Sequence, residues 1–350
     1  LSTGILTTAR LTHATPAANY YSSPERDWES DSDLPPTARN NGCTEIAQHQ
    51  LDSRARDGID VALGGGRSRF LPLLVRDPIS GFGSRLDGRD LTREWTARGV
   101  TSHYVWNAEQ FNAIKADSTD KLLGLFSPSH MPYWVDNTGA DKQVPSLAAM
   151  TRKAITLLSK NPRGYFLMVE SGRIDHAHHK TNAYRALTET IELARAVDAA
   201  RELSKRQDTL IMVTADHGHV FSLAGYPTRG NPILGKVRGN GSDGQAQAAP
   251  TLARDGKPYT TLSYHNGPGA CQGSPFWCQH RADLSAIDTE HPDYQQQPSL
   301  PLNAETHSSE DVAIYAEGPW AHLFNGTIEQ HVIYFLMHHA SLAQKHPAAD

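Results

Sequence analysis

Five short apolar runs recur along this 350-residue chain, with helical patterns between them. These runs are "GILTTARL" (4–11), "GIDVALGGG" (58–66), "GYFLMVE" (164–170), "TLIMVTAD" (209–216) and "DVAIYAEG" (311–318). Short, largely apolar runs of this kind are typical of strands buried on both faces of a parallel sheet. Residues 145–160 and 182–205 carry apolar side chains at helical spacing. We therefore predict an α/β fold, a three-layer αβα sandwich around a mostly parallel central sheet.

One long stretch departs from this plan. From 225 to 306 the chain is rich in Gly, Pro, Gln and Ser, and the stretch is too long for a plain loop. We interpret 225–306 as an inserted subdomain, and 1–224 together with 307–350 as the domain that contains the sheet.

The charge balance limits the class of partner. The chain has 33 Lys and Arg against 38 Asp and Glu, so it lacks the basic excess of a nucleic-acid-binding surface. Its most apolar C-terminal run, 331–343, is interrupted by histidines and is shorter than the roughly 18 residues that a membrane span needs. We expect that run to form a core helix and the protein to bind no nucleic acid.

The segment "ESGRIDHAHHK" places acids and histidines directly after a predicted strand. Active sites of open α/β sheets form at the carboxyl ends of strands, and Glu170 lies at such an end. Asp175 and His179 are four residues apart, which puts them on one face of a helical turn. Oxygen and nitrogen ligands together suit zinc.

A second cluster, "ADHGHVF", follows another predicted strand. Asp216 and His217 are neighbours and can reach one ion only if the strand ends there in a turn, which Gly218 permits. We expect His219 to donate a hydrogen bond that orients a metal ligand. Either cluster alone is more often a solvated surface than a metal site, but two of them at strand ends favour metal binding.

The three cysteines leave two alternatives open. Cys271 and Cys278 flank a short loop that a disulfide could close, which would fit an oxidising compartment. Cys43 is then either a buried thiol or paired with a cysteine outside this chain.

Several long motifs resemble the alkaline phosphatases, a family of phosphomonoesterases with two zinc ions and one magnesium ion. They are "GILTTARLTHATPAANYY", "VESGRIDHAHH", "VTADHGHVFSLAGYPTRGNPILG" and "ETHSSEDVAIYAEGPWAHLFNG". The resemblance runs from residue 1 to about 340 and keeps the order of the family's motifs. It implies that 225–306 is a crown-like subdomain.

The resemblance also implies roles for individual residues. The matched metal ligands are those of the first zinc (Asp175, His179, His307), the second zinc (Asp216, His217) and the magnesium (Thr15, Glu170). His13 matches a position beside the magnesium. Arg26 matches the arginine that binds two phosphate oxygens, a task suited to its planar fork of donors.

The implied reaction is the hydrolysis of phosphate monoesters through a phosphoserine intermediate. The family's serine nucleophile and its metal-bridging aspartate have no counterpart in this chain, which begins downstream of both. We therefore expect the N-terminal segment to be absent and the chain alone to be inactive or nearly so. In the family the position of Cys43 pairs with a cysteine of that segment, which favours truncation.

Two other functions compete with this one. The first alternative is a non-catalytic zinc- and phosphate-binding protein derived from the same fold, and the second is a sulfatase or phosphodiesterase of the same superfamily. For the phosphatase we expect phosphomonoesters and inorganic phosphate as ligands, and a homodimer in the full-length protein. We expect an extracellular or periplasmic location, with a membrane anchor left open.

Overall fold

A computed structural model of the chain describes residues 1–52, 58–137, 144–270 and 281–343. Contacts divide the chain into two compact units. The first unit comprises Leu1–His178, Asn182–Ala199 and Ile287–Gln295, and the second comprises His179–Thr181, Ala200–Ala286 and Gln296–Asp350. The predicted boundaries of the inserted subdomain at 225 and 306 stay a prediction.

A five-stranded parallel sheet forms the centre of the first unit. Its strands are β1 (Ser2–Arg10), β2 (Val61–Gly65), β3 (Ser102–Val105), β4 (Lys121–Leu125) and β5 (Tyr165–Glu170). They are arranged in the order β3-β4-β2-β1-β5, and each neighbouring pair is parallel. The predicted α/β class with a parallel central sheet is confirmed. Strands β3 and β4, of four and five residues, are not among the five predicted runs.

Helices lie along the rest of the chain. Their bounds are α1 (Ala14–Ala18), α2 (Pro36–Asn40), α3 (Ile46–Asp52), α4 (Leu91–Thr96), α5 (Ala108–Ala113), α6 (Leu147–Leu158), α7 (Arg173–His179), α8 (Ala183–Leu203) and α9 (Val332–Ala343). Helices α6 and α8 coincide with the patterns predicted at 145–160 and 182–205. Ser146 is the N-cap of α6, and its side chain accepts a hydrogen bond from the backbone N–H of Ala149.

Successive residues of a strand point to opposite sides of the sheet, and helices pack on each side. Leu6 and its neighbours in the sheet pack in one core cluster with residues of α6 and with Ala196 of α8. Ile5, the adjacent residue, lies in a second cluster with residues of α3 and α4. Burying a leucine or isoleucine side chain contributes about 1.5 to 3 kcal/mol. These two clusters hold β1 and β5 in place, and β5 ends at Glu170.

The glycine run at the end of β2 shapes a tight turn. A Cβ on Gly65 would lie 2.2 Å from the carbonyl oxygen of Ser129. Gly66 has a φ of 94°, which an L side chain rarely adopts, and its N–H donates to the Ser129 carbonyl at 2.7 Å. The run therefore serves close backbone packing.

The described residues of the second unit form three small sheets. Their strands are β6 (Ile211–Val213), β7 (Gly218–His219), β8 (Phe221–Leu223), β9 (Leu262–Gly267), β10 (Pro298–Pro301), β11 (His307–Ser308) and β12 (Tyr315–Glu317). Strands β6 and β12 arise from the runs at 209–216 and 311–318, but they pair antiparallel with each other. An apolar run predicts a strand and does not identify its partner.

Helix α9 forms where the sequence predicts it, but it is not a core helix. Tyr334 and Phe335 are each 60% exposed. Among the residues that the structure describes, no helix is long and apolar enough to cross a membrane.

The cysteine predictions are tested only in part. Cys43 is a free, exposed thiol, so the alternative of a buried thiol is wrong. Cys271 and Cys278 lie outside the described residues, and the predicted disulfide between them stays a prediction.

Candidate functional site

Four histidines gather in the second unit, at the ends of short elements. His179 is the last residue of α7, and His217 directly precedes β7. The antiparallel pair of β7 and β11 places His307 opposite His219. The rings of His217 and His307 stack with their centroids 3.5 Å apart, and those of His179 and His307 are 4.9 Å apart. The structure thus brings three predicted zinc ligands together with His219.

The hydrogen bonds of His179, His217 and His219 determine the tautomers of these three histidines. An oxygen of a carbonyl or a carboxylate can only accept, so the ring nitrogen that faces it must donate. Nδ1 of His179 donates to the backbone carbonyl of Glu305 at 2.6 Å, and Nδ1 of His219 donates to Oε2 of Glu305 at 2.7 Å. Nδ1 of His217 donates to the carbonyl of Gly218 at 3.1 Å. In each neutral ring, Nε2 is therefore the nitrogen that offers a lone pair.

Two of these Nε2 atoms face other electron-rich atoms at short range. Nε2 of His179 lies 3.2 Å from Nε2 of His307. Nε2 of His217 lies 3.2 Å from Oδ2 of Asp216. Each of these lone pairs therefore faces an atom with which it can share a proton or a cation. Neutral imidazoles and a carboxylate are donors that zinc accepts, so these residues fit the predicted metal.

Glu305 was missed by the sequence reasoning. Its side chain is fully buried, and its carboxylate also accepts the backbone N–H of Val220 at 2.9 Å. The backbone N–H of Glu305 donates to the carbonyl of His179 at 3.0 Å. The sequence feature that could have indicated a role for Glu305 is its place in the "ETHSSED" motif, two residues before His307. Glu305, to which the sequence motifs gave no role, is thus a hydrogen-bond partner of His219.

The oxygen ligands predicted for magnesium lie in the first unit. Glu170 closes β5, and its Oε2 accepts a hydrogen bond from Oγ1 of Thr7 at 2.5 Å. Thr15 is exposed in the first turn of α1. Asp175 lies in α7, one turn before His179, as the spacing predicts. The hydroxyl that donates to Glu170 is that of Thr7, a residue to which the sequence motifs gave no role.

A second group of histidines forms in the first unit. His13, His130 and His176 each offer a ring nitrogen within 4.8 Å of the others. A different arginine approaches each ring: Arg26 Nη2 lies 3.4 Å from His13 Nε2, Arg10 Nη1 lies 2.6 Å from His130 Nε2, and Arg173 Nη1 lies 3.0 Å from His176 Nδ1. We refer to these six residues as the Arg-His cluster.

The rings of the Arg-His cluster are neutral near pH 7. Burial, followed by the charge of Arg10, lowers the pKa of His130 to about 2. Burial, followed by the charge of Arg173, lowers the pKa of His176 to about 4. Burial is also the main cause that lowers the pKa of His13. A neutral ring can accept a hydrogen bond from a guanidinium, whereas a charged ring cannot.

The net charge of the Arg-His cluster is positive. Glu29 neutralises Arg10 through two contacts of 2.5 and 2.7 Å. Over the described ranges, neither Arg26 nor Arg173 pairs with a carboxylate. The guanidinium of Arg173 instead lies 3.8 Å from the ring centre of Tyr133. Two guanidiniums without an ion-pair partner favour an anion over a cation at this cluster.

The sequence matches a known family over nearly its whole length. A model of the family described as alkaline phosphatase matches residues 1–343. The chain is 43% identical over 347 residues to the tissue-nonspecific alkaline phosphatase isozyme of Gallus gallus and 42% identical over 350 residues to that of Homo sapiens. Each match covers 97% of this chain and 63% of the relative. The chain thus spans less than two thirds of the length of these curated relatives.

Solved structures show the same fold. The cold-active alkaline phosphatase of a psychrophilic Shewanella sp. superimposes with a TM-score of 0.58 at 23% identity, covering 98% of this chain and 75% of that one. The Thermus thermophilus alkaline phosphatase superimposes with a TM-score of 0.52 at 31% identity, covering 65% of this chain and 41% of that one. The match of the family model to residues 1–343 shows that the chain belongs to the alkaline phosphatase family.

Proposed function

We propose that this chain carries metal- and phosphate-binding residues of a phosphomonoesterase. The observation that carries the proposal is the histidine group of the second unit, where His179 and His217 each use Nδ1 as a donor and so offer Nε2 as a ligand. Membership of the alkaline phosphatase family supports the same reaction.

We assign the metals by the sequence motifs and the donor types. His179 and His307 would hold the first zinc with Asp175, which lies one turn earlier in α7. Asp216 and His217 would hold the second zinc. When bound, such ions polarise phosphoryl oxygens and lower the pKa of an attacking hydroxyl.

Glu170 and Thr15 offer the hard oxygen donors that magnesium prefers. A variant of the alkaline phosphatase from the Antarctic bacterium TAB5 holds Mg in its M3 site. We propose a magnesium site in this chain by analogy with that structure. Thr7, which donates to Glu170, would orient the carboxylate.

We propose that Arg26 binds two oxygens of the phosphate. The side chain is exposed and lies beside His13. The positive charge of the Arg-His cluster supports an anionic ligand. His13 would accept from one guanidinium N–H and leave the other donors of Arg26 to the phosphate.

The attacking group is not assigned to any residue of this chain. We propose that hydrolysis proceeds through a phosphoserine whose serine lies outside it, so the chain alone turns over little substrate. The alternative is a non-catalytic protein that binds zinc and phosphate at the same residues. For the complete protein we propose a homodimer in an extracellular or periplasmic compartment.

The test is an assay of the chain with zinc and magnesium at alkaline pH, together with calorimetry of inorganic phosphate binding. We expect phosphate binding that depends on zinc, with little turnover of an aryl phosphate. Hydrolysis should appear when a segment with the family's serine motif is supplied. Robust turnover by the chain alone, abolished in Asp216→Ala, would contradict the external serine. Phosphate binding without turnover after addition of the segment would favour the non-catalytic alternative.

A further inference from the structure

We propose that the loop of residues 72–83 inserts into a lipid surface that carries negative charge, with its apolar side chains among the acyl chains and Arg76 at the headgroups. We refer to this segment as the apolar loop. It lies in the first unit, between β2 and α4. None of its residues has a place in the proposed metal or phosphate sites, so the inference is independent of the proposed function.

The apolar loop exposes large apolar side chains. Leu74 is 89% exposed and Phe82 is 60% exposed. The other exposed apolar side chains are those of Leu73, Val75 and Ile79, each between 38% and 48%. A single exposed leucine is common on protein surfaces, but five such side chains within twelve residues form a patch that is typical of an interaction site.

Backbone hydrogen bonds hold the apolar loop in two linked turns. The N–H of Val75 donates to the carbonyl of Pro72 at 2.9 Å and closes the first turn. The N–H of Asp77 donates to the carbonyl of Gly81 at 3.0 Å and closes the second. The two turns are joined because the N–H of Gly83 donates to the carbonyl of Val75 at 2.9 Å.

A buried ion pair fixes the apolar loop to the central sheet. Arg67 donates to both carboxylate oxygens of Asp77 at 2.6 and 2.7 Å, and both side chains are fully buried. Another N–H of Arg67 donates at 2.6 Å to the carbonyl of Leu125, the last residue of β4. The N–H of Ile79 donates to Asp77 at 2.8 Å. The loop therefore cannot turn its apolar side chains inward without breaking a buried ion pair, which is costly.

The exposed surface of the apolar loop carries one charge, and that charge is positive. Asp77 is the only acid in the loop, and its carboxylate is buried against Arg67. Arg76 is exposed and has no carboxylate partner among the residues that the structure describes. The next acid along the chain, Asp87, pairs with Arg85. The loop therefore combines an apolar patch with attraction for anionic groups.

A lipid surface fits this combination better than a second copy of the chain does. In a symmetric contact the loop would face itself, so Arg76 would approach a positive patch with no exposed acid to pair with. A stable dimer interface also uses about 20 to 30 residues on each side, whereas the loop has twelve. At a membrane, leucine and phenylalanine enter the acyl region while an arginine reaches the phosphate oxygens of the headgroups.

The first test measures binding of the full chain to vesicles by flotation. The vesicles are phosphatidylcholine, alone or with about one-third phosphatidylserine. The wild type should bind the anionic vesicles more tightly than the neutral ones. The double substitution Leu74→Ser and Phe82→Ser should weaken binding to the anionic vesicles by about 30- to 100-fold, because it removes the two most exposed apolar side chains of the loop.

Two further variants make the vesicle test specific. Arg76→Gln should weaken binding to the anionic vesicles by about fivefold and leave binding to the neutral vesicles unchanged. The matched control is Val100→Ser, because Val100 is 97% exposed and lies outside the apolar loop. That variant should bind as the wild type does.

The second test measures insertion directly and keeps an aromatic side chain in the loop. The fluorescence that Phe82→Trp adds to that of the six native tryptophans should shift to shorter wavelength with anionic vesicles. Lipids with brominated acyl chains should quench it. Val100→Trp should show neither effect, because its side chain would stay in water.

Several outcomes would overturn the inference. One is a wild type that does not bind anionic vesicles, and another is equal binding by the chain with Leu74→Ser and Phe82→Ser. If the wild type sediments as a dimer without lipid and that double variant as a monomer, the loop is an interface between copies. Should the double variant not fold, equal quenching in Phe82→Trp and Val100→Trp would decide against insertion. None of these measurements depends on zinc, phosphate or turnover, so failure of the proposed function would leave them unaffected.

Discussion

Nε2 of His179 and Nε2 of His307 lie 3.2 Å apart, although 128 residues separate them in the chain. Nδ1 of His179 donates to a carbonyl, so its Nε2 offers a lone pair toward the second ring. This contact between two segments distant in the sequence leads to the first prediction.

His307→Ala should remove the tightly bound zinc. The first zinc has all three of its expected protein ligands in this chain, whereas the second lacks one, so the first should bind more tightly. Atomic absorption after dialysis should show one tight and one weak zinc in the wild type, and no tight zinc in the variant. His322→Ala, an exposed histidine outside the group, is the control. Retention of the tight zinc in His307→Ala would refute the assignment.

Arg26→Lys should weaken the binding of inorganic phosphate. An ammonium cannot reproduce the two parallel N–H donors of a guanidinium, and the loss of one charge-assisted hydrogen bond costs about 1 to 3 kcal/mol. Calorimetry on the zinc-loaded chain measures this difference. Arg93→Lys, at a side chain that is 88% exposed, should have no effect. Equal affinities for Arg26→Lys and the wild type would show that Arg26 does not contact phosphate.

Glu189→Gln should stabilise the fold above pH 7. Burial raises the pKa of Glu189 from 4.5 to about 7, so the folded state keeps a proton that the unfolded state loses. The contribution of Glu189 to stability is therefore complete below pH 4.5 and is lost as the pH rises through 7, by roughly 3 kcal/mol in total. Glutamine resembles the protonated acid and can still accept from Trp134, but it does not titrate.

Urea unfolding at pH 4 and pH 8 measures this effect. The variant and the wild type should be similar at pH 4, and the variant should be more stable at pH 8. A difference that does not depend on pH would show that Glu189 titrates normally in the fold.

Asp77→Asn should destabilise the first unit strongly. Asp77 and Arg67 form a two-point ion pair at 2.6 and 2.7 Å, and both side chains are fully buried. The amide would leave the charge of Arg67 uncompensated, which costs about 3 to 5 kcal/mol.

The control is Asp120→Asn, the same change in an ion pair with Lys160 where the aspartate is 67% exposed. It should alter the free energy of unfolding by less than about 1 kcal/mol. Similar losses in the two variants, measured by urea unfolding, would show that burial does not amplify the Asp77 pair.

Local patterns predict much of this protein. Strand β5, helix α7 and the four-residue spacing of Asp175 and His179 follow from hydrophobic periodicity and helical geometry, which depend on neighbours along the chain. The α/β class follows in the same way, because buried strands alternating with helices can pack only in a few layered arrangements.

Long-range pairing could not be derived from those patterns. That β6 pairs antiparallel with β12, or that β7 and β11 set His219 opposite His307, depends on which distant segments pack together. The spacing of motifs along the chain does not show which distant segments pack together, whereas a family resemblance can. Glu305 is the clearest case, because a glutamate in a polar loop is usually exposed to solvent. Packing alone buries this one beneath two histidines, and burial turns its hydrogen bonds into a constraint on their tautomers.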